Sequence, residues 1–197
     1  MRKRIRFTTA LDVFEAFETL RGDIGAEPAD EPSIAYLKAL AVSATPEDAI
    51  GFCAHLLSRR DAVLWGARCV TRLCARLSAE EAKLIEAAED WLRHQDETSR
   101  RAALALAGGA DRRLAATWAA LAAAWSGGSM TNDGFGPVPC PPYLTHKAAN
   151  AAVLLAIATR GVKARRNLVG DCVDWGIEIA TGEAPEVARP IDEPSGR

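Results

Sequence analysis

The segment Trp125-Ser-Gly-Gly-Ser-Met-Thr-Asn-Asp-Gly-Phe-Gly-Pro-Val-Pro-Cys-Pro-Pro-Tyr143 limits the possible folds of this chain more than any other stretch. Its four glycines and four prolines rule out both helix and regular strand. Yet Trp125, Met130, Phe135, Val138 and Tyr143 give it more apolar surface than a solvated linker carries. It reads as an ordered loop lying on its neighbours, and after residue 45 it is the only long segment that cannot be helical.

The chain on either side is punctuated like a helical protein. Thr8 or Thr9 can cap a first helix whose apolar face is Leu11, Phe14, Phe17 and Leu20 and which Gly22 ends. Residues 23–31 carry four acids and Pro28 and read as a mobile, solvated linker, and Pro32 with Ser33 opens a short helix. Thr45-Pro-Glu-Asp48 starts the next, with proline at the first helical position. Asp61 is the expected cap of a helix burying Val63, Leu64, Ala67 and Val70. Ser78-Ala-Glu-Glu81 has the capping-box spacing, Asp96 and Asp111 can cap two further helices, and Gly108-Gly109 separates these last two. After the loop, Thr145 is the expected cap of an alanine-rich helix, and a last helix from about Lys163 ends at Gly182. No repeat period emerges. The expectation is an all-α irregular bundle, or a HEAT-like stack, of seven to eight helices with one long ordered Gly/Pro-rich loop. Residues 1–182 would form a single helical domain and 183–197 a disordered tail.

With 24 basic and 26 acidic residues the formal charge is −2, which argues against a nucleic-acid partner. Five cysteines, an odd number, three of them at helical spacing among apolar residues, suit a reducing, cytoplasmic setting. The basic Met1-Arg-Lys-Arg start resembles that of a signal peptide, but Asp12, Glu15 and Glu18 interrupt what would be its apolar region. The longest apolar run, Ala148 to Ala158, is too short to cross a bilayer, so no membrane partner is expected.

No constellation of catalytic residues stands out. Cys140 and His146 could form a thiol and base, with Asn150 one turn on as orienter, but no helix N-terminus is directed at the sulfur to activate it. His55, His94 and His146 show no metal-ligand spacing, and Gly127-Gly128 follows a helix rather than a strand, so neither a metal nor another cofactor is expected. Four Arg-Arg pairs, at 59-60, 100-101, 112-113 and 165-166, have acids close to most of them and read as solvated faces. Arg59-Arg60 stands apart because Trp65 follows, and guanidinium beside indole is a common protein-binding pair, although a core tryptophan beside a solvated corner is the commoner arrangement. Trp118 and Trp125, seven apart, share a helix face and are expected to anchor the loop.

Four blocks, Ala44-Thr-Pro-Glu-Asp-Ala49, Leu57-Ser-Arg-Arg-Asp-Ala-Val63 with Trp65, Ala119 to Met130, and Pro139 to Asn150, together resemble an uncharacterised bacterial family of alanine-rich helical proteins. The likeness covers roughly residues 7–180. The resemblance implies an association with type VI secretion genes, hence an accessory, adaptor or effector-handling role, and it brings no catalytic residue. After Trp-Ser-Gly-Gly-Ser this chain has Met-Thr-Asn-Asp-Gly-Phe, where such proteins continue with apolar residues and prolines. The resulting expectation is a non-enzymatic adaptor or chaperone-like protein whose partner, a secreted effector or a secretion component, is held by Arg59, Arg60, Trp65, Met130, Phe135 and Tyr143. The alternative is a small-molecule-binding or thiol-dependent hydrolytic domain using Cys140 and His146.

Overall fold

A computed structural model describes residues 5–131 and 136–183. The expected tail, apart from Glu183, and the first four residues lie outside these. Ten α-helices are present among the described residues: α1 (Ala10–Ala16), α2 (Leu20–Asp23), α3 (Ser33–Ala41), α4 (Asp48–Leu56), α5 (Arg59–Leu73), α6 (Ala79–His94), α7 (Glu97–Gly108), α8 (Ala115–Ala124), α9 (Leu144–Ala158) and α10 (Arg165–Thr181). The fold is all-α, and the described residues contain no strand, only the isolated bridges Thr9 to Pro32 and Ser129 to Pro139.

Part of the excess over seven to eight helices comes from a break in the first. Thr9 and Asp12 form a capping box, but the helix stops at Phe17, whose ψ is 77°. There the Phe17 ring packs edge-on against His55 and His146, with centroids 5.0 and 4.8 Å away. Tertiary packing, rather than a glycine or proline, ends α1.

The linker after α2 is held in place, contrary to the expectation that it is mobile. The first amides of α1 have no partner within the helix and take them from the linker, Ala10 N–H from Glu31 C=O (2.8 Å) and Leu11 N–H from Ala29 C=O (3.0 Å). Tyr36 Oη donates to Glu27 C=O at 2.6 Å and fixes its far side.

Four caps also differ from expectation, the first being Thr45, whose hydroxyl donates to the Asp48 carboxylate while α4 starts at Asp48, after Glu47. Ser58, not Asp61, caps α5, accepting from Asp61 N–H at 3.1 Å, so Arg59 and Arg60 belong to that helix's first turn. Both residues are competent caps one turn apart, and the chain uses the earlier. α8 begins at Ala115, later than Asp111 would place it, because Asp111 C=O accepts instead from Leu114 N–H and Thr117 Oγ1. Thr145 lies inside α9 and is fully buried.

Apolar all round, α8 must be enclosed, and nine of its ten residues are buried, with α5, α6, α7 and α9 packed about it. This central helix makes the fold a bundle rather than a linear stack. Alanine and glycine permit close crossing: at Gly66 of α5 an added Cβ would already touch Ala149 of α9 at 3.6 Å. On the other side, α4, α5 and α10 meet where Trp65 Nε1 donates to Cys172 C=O at 2.8 Å. Here Gly176 is required, since a Cβ would collide with Cys53 Sγ.

Candidate functional site

The loop leaves α8 at Trp125, where a helix end exposes carbonyls without partners. Side chains from three other helices supply them. Arg100 of α7 donates from Nη1 to Ala124 C=O (2.7 Å) and to Ser129 C=O (3.1 Å). Arg59 of α5 donates to Ser126 C=O at 3.1 Å. Trp125 C=O accepts from Thr145 Oγ1 of α9 (2.8 Å) and from Cys140 Sγ (3.0 Å).

Arg100 is the centre of this arrangement. It is only 3% exposed, and Glu97, one turn earlier, grips the remaining face of the guanidinium as a fork, with Nε to Oε2 at 2.6 Å and Nη2 to Oε1 at 2.7 Å. The bidentate Arg100 contact, with Arg101 bonding the same carboxylate, holds the Glu97 carboxyl down at about 2. Gly128 closes over the clamp at φ +62°, and a Cβ there would lie 2.9 Å from Arg100 Nε, so both backbone and space demand glycine.

The two limbs of the loop are then stitched together. Met130 N–H donates to Val138 C=O (2.9 Å) and Cys140 N–H to Gly128 C=O (3.0 Å). Ser129 Oγ accepts from Val138 N–H and Thr131 N–H, and Thr131 Oγ1 donates to Gly136 C=O. Residues 136–139 stand out from this frame, with Val138 45% exposed.

The expected partner-binding residues are distributed unevenly on this platform. Arg59 holds the loop from beneath, while Arg60 turns to Asp61 at 3.5 Å beside it. Met130 and Tyr143 are half-buried, and Lys147 Nζ lies 5.2 Å from the Tyr143 ring. Phe135 falls outside the described residues. Trp65 is a correction: it is 0% exposed, its indole spent on Cys172, and it cannot meet a partner. Trp118 and Trp125 do meet, edge to face at 6.4 Å, as their spacing requires. Even so, the closest hold on the loop comes from the Trp125 backbone carbonyl and from Arg100. The sequence reading misses Arg100 because an Arg-Arg pair beside Glu97 looks like a solvated face. The adjoining Gly127-Gly128 was the available signal that something must approach the backbone closely.

Cys140 and His146 are not assembled into a thiol and base. Cys140 Sγ is hydrogen-bonded to Trp125 C=O, and burial pushes the thiol above its usual value, offset only in part by Arg59 and Arg100. The His146 ring stacks on His55 at 5.2 Å, and its nitrogens make no well-formed hydrogen bond, only the Leu57 backbone offering a weak one. Burial, then the neighbouring His55 and Arg6, bring His146 down to about 3, too weak a base to activate a thiol. Asn150 Oδ1, the would-be orienter, is likewise buried without a partner. Three further thiols, Cys53, Cys69 and Cys172, are buried between α4, α5 and α10, and burial raises Cys53 and Cys69 well above the reactive range. Among the described residues no group of three or more His, Cys, Asp or Glu side chains could hold a metal ion, and no helix is long and apolar enough to cross a membrane.

No curated protein and no solved structure matches this chain. The model of one family matches residues 36–180, from α3 through α10 and including the whole loop with its clamps, and the chain belongs to that family, the family of unknown function DUF6931.

Proposed function

We propose that the protein is a non-enzymatic adaptor that holds another protein through the 125–143 loop. The supporting observation is the buried Arg100 clamp, which fixes an exposed, proline-rich segment before any partner arrives. Binding by a segment already ordered avoids about 0.5–1.5 kcal/mol for each flexible side chain otherwise immobilised. Val138 and the prolines beside it offer apolar contact, and Arg60 with Tyr143 a more polar margin. The resemblance to proteins found with type VI secretion genes makes a secreted effector or a secretion component the partner of choice.

The test is affinity capture by the full-length protein in its native cells, compared with Val138→Asp and Cys140→Ser. Val138 points outward and contributes only backbone to the loop frame, so its replacement should abolish capture while circular dichroism stays the same. Cys140→Ser should capture normally. Capture that survives Val138→Asp and fails in Cys140→Ser would replace this reading with the thiol one.

A further inference from the structure

The exposed limb of the loop has a backbone whose polar groups are sorted by direction. Every residue from Gly136 to Pro142 is a proline or stands directly before one, so covalent restriction favours an extended, polyproline-type path along the whole limb. The chain takes no helical turn before Pro142. Ser129 and Pro139 face each other in an antiparallel bridge whose two bonds lie on the flanking residues, Met130 N–H to Val138 C=O and Cys140 N–H to Gly128 C=O. In such a pair the two opposed residues aim their own backbone groups away from each other. Ser129 C=O accordingly leaves on one side, where Arg100 takes it. Pro139 C=O leaves on the other, and Pro137, two residues back along the extended chain, shares that edge. Among the described residues neither proline carbonyl has a partner.

The donors that a strand edge would show between these acceptors are missing. Pro137 and Pro139 have no N–H, and Val138 N–H is spent on Ser129 Oγ at 3.1 Å. The outer edge is acceptor-only, so a β-strand, whose edge alternates donors and acceptors, cannot zip onto it. The side chains are sorted as well: Pro137, Val138, Pro139 and Pro142 are exposed, whereas Cys140 and Pro141 are half-buried, with Cys140 Sγ held by Trp125 C=O. Pro139 and Pro142, three apart, share one face of a path with three residues per turn. A surface of proline rings and bare carbonyls is complementary to rings that carry a donor, which are those of tyrosine and tryptophan. Building on the capture role proposed above, we infer that the partner holds residues 136–142 in a groove of Tyr and Trp side chains, whose rings pack on the prolines and whose O–H and N–H groups donate to the Pro137 and Pro139 carbonyls.

Affinity capture by full-length Pro137→Ala/Pro139→Ala, run beside wild type and Val138→Asp, tests this. Neither proline contributes a bond to the loop frame, so the Met130 and Cys140 amides should exchange as in the wild type while capture falls at least tenfold. Capture unchanged by the two alanines but abolished by Val138→Asp overturns the inference and leaves the loop's role standing; capture that survives Val138→Asp ends both. The groove is read out directly by p-benzoylphenylalanine in place of the exposed Pro142. Its crosslink should fall on a partner segment containing Tyr or Trp, and replacing those residues by Phe, which keeps a ring and removes the donor, should weaken capture at least tenfold. If the alanines loosen the loop frame, the crosslink and the Phe variants alone decide. A crosslinked segment without Tyr or Trp, Phe variants that are captured as well as the original, or a crosslink to a second copy of this chain overturns the inference.

Discussion

Arg100 and the His55–His146 pair are both buried polar sites, 3% and 1% exposed, and they meet the cost of burial in opposite ways. Arg100 keeps its charge because every nitrogen of its guanidinium has a partner, two of them on the Glu97 carboxylate. The histidines give theirs up. His55 donates from Nδ1 to Gly51 C=O at 2.8 Å, leaving Nε2 without a partner, and His146 and Asn150 one helix away add three more atoms without a well-formed hydrogen bond. Arg6, Arg59 and Lys147 approach this seam from the N-terminal arm, α5 and α9, with Asp23 of α2 opposing them, so charge on the rings is further disfavoured. The contrast separates a polar group that builds structure from one the fold merely tolerates: the first orders a loop, the second makes the packing of α1, α4 and α9 sensitive to acid.

The largest effect is expected at Arg100. Arg100→Met leaves the Ala124 and Ser129 carbonyls without their donor and Glu97 with Arg101 alone, and the expected cost is about 3 kcal/mol, at the lower end for a broken buried pair because Glu97 is partly solvated. Urea unfolding measures it; a loss below about 1 kcal/mol would mean that the clamp is dispensable.

Acid should act on the other site. The folded value of His146, about 3, lies below its unfolded 6.5, so the unfolded state binds more protons between those limits. Stability is therefore complete above pH 6.5 and lost as pH falls towards 3. One and a half pH units below 6.5 corresponds to about 2 kcal/mol at pH 5, with burial-lowered His55 acting in the same direction. Asp12, Asp96 and Glu97, all lowered by hydrogen bonds, add to the loss only near and below their ordinary carboxylate range, so the interval from pH 6.5 to 5 isolates the histidines. His146→Phe should flatten the stability profile there with little loss at pH 7, since it removes nitrogens that make at most a weak bond to the Leu57 backbone. A profile as steep as wild type would assign the acid sensitivity elsewhere.

Smaller effects sharpen the contrast. Trp65→Phe keeps the ring but strips Cys172 C=O of its buried donor, for an expected 1–2 kcal/mol or so in thermal or urea unfolding. Cys140→Ser should cost under about 1 kcal/mol, because a hydroxyl can make the same bond to Trp125 C=O. The wild-type thiol should also react slowly with a disulfide reagent at neutral pH, burial having raised it.

What the sequence disclosed follows the range of the forces involved. Caps act within four residues, so Thr9-Asp12, Ser78-Glu81, Asp96 and Gly182 mark real helix ends, and with them the all-α class was legible. The loop was legible from its glycines and prolines. The break at Phe17 was not, because its cause, the two imidazoles, lies 38 and 129 residues away in the chain. Arg100 was missed for the same reason: Glu97 is local and makes it look like a surface pair, whereas Ala124 and Ser129 are what bury it. Trp65 was read as a partner-binding residue on the strength of Arg59-Arg60, against the alternative of a core tryptophan, and the core alternative is the one realised, because its face of α5 turns towards α10.

Native-state hydrogen exchange of the Met130 and Cys140 amides tests the central claim, that Arg100 orders the loop, most directly. Both donate across the loop, to Val138 and Gly128, and neither lies in a helix. In the wild type they should exchange far more slowly than open loop amides, and in Arg100→Met that protection should disappear while amides of α5 and α9 remain protected at a denaturant-free, neutral pH where the variant is still folded. Protection of Met130 and Cys140 that persists in folded Arg100→Met would contradict the account, because the loop would then be ordered without its clamp.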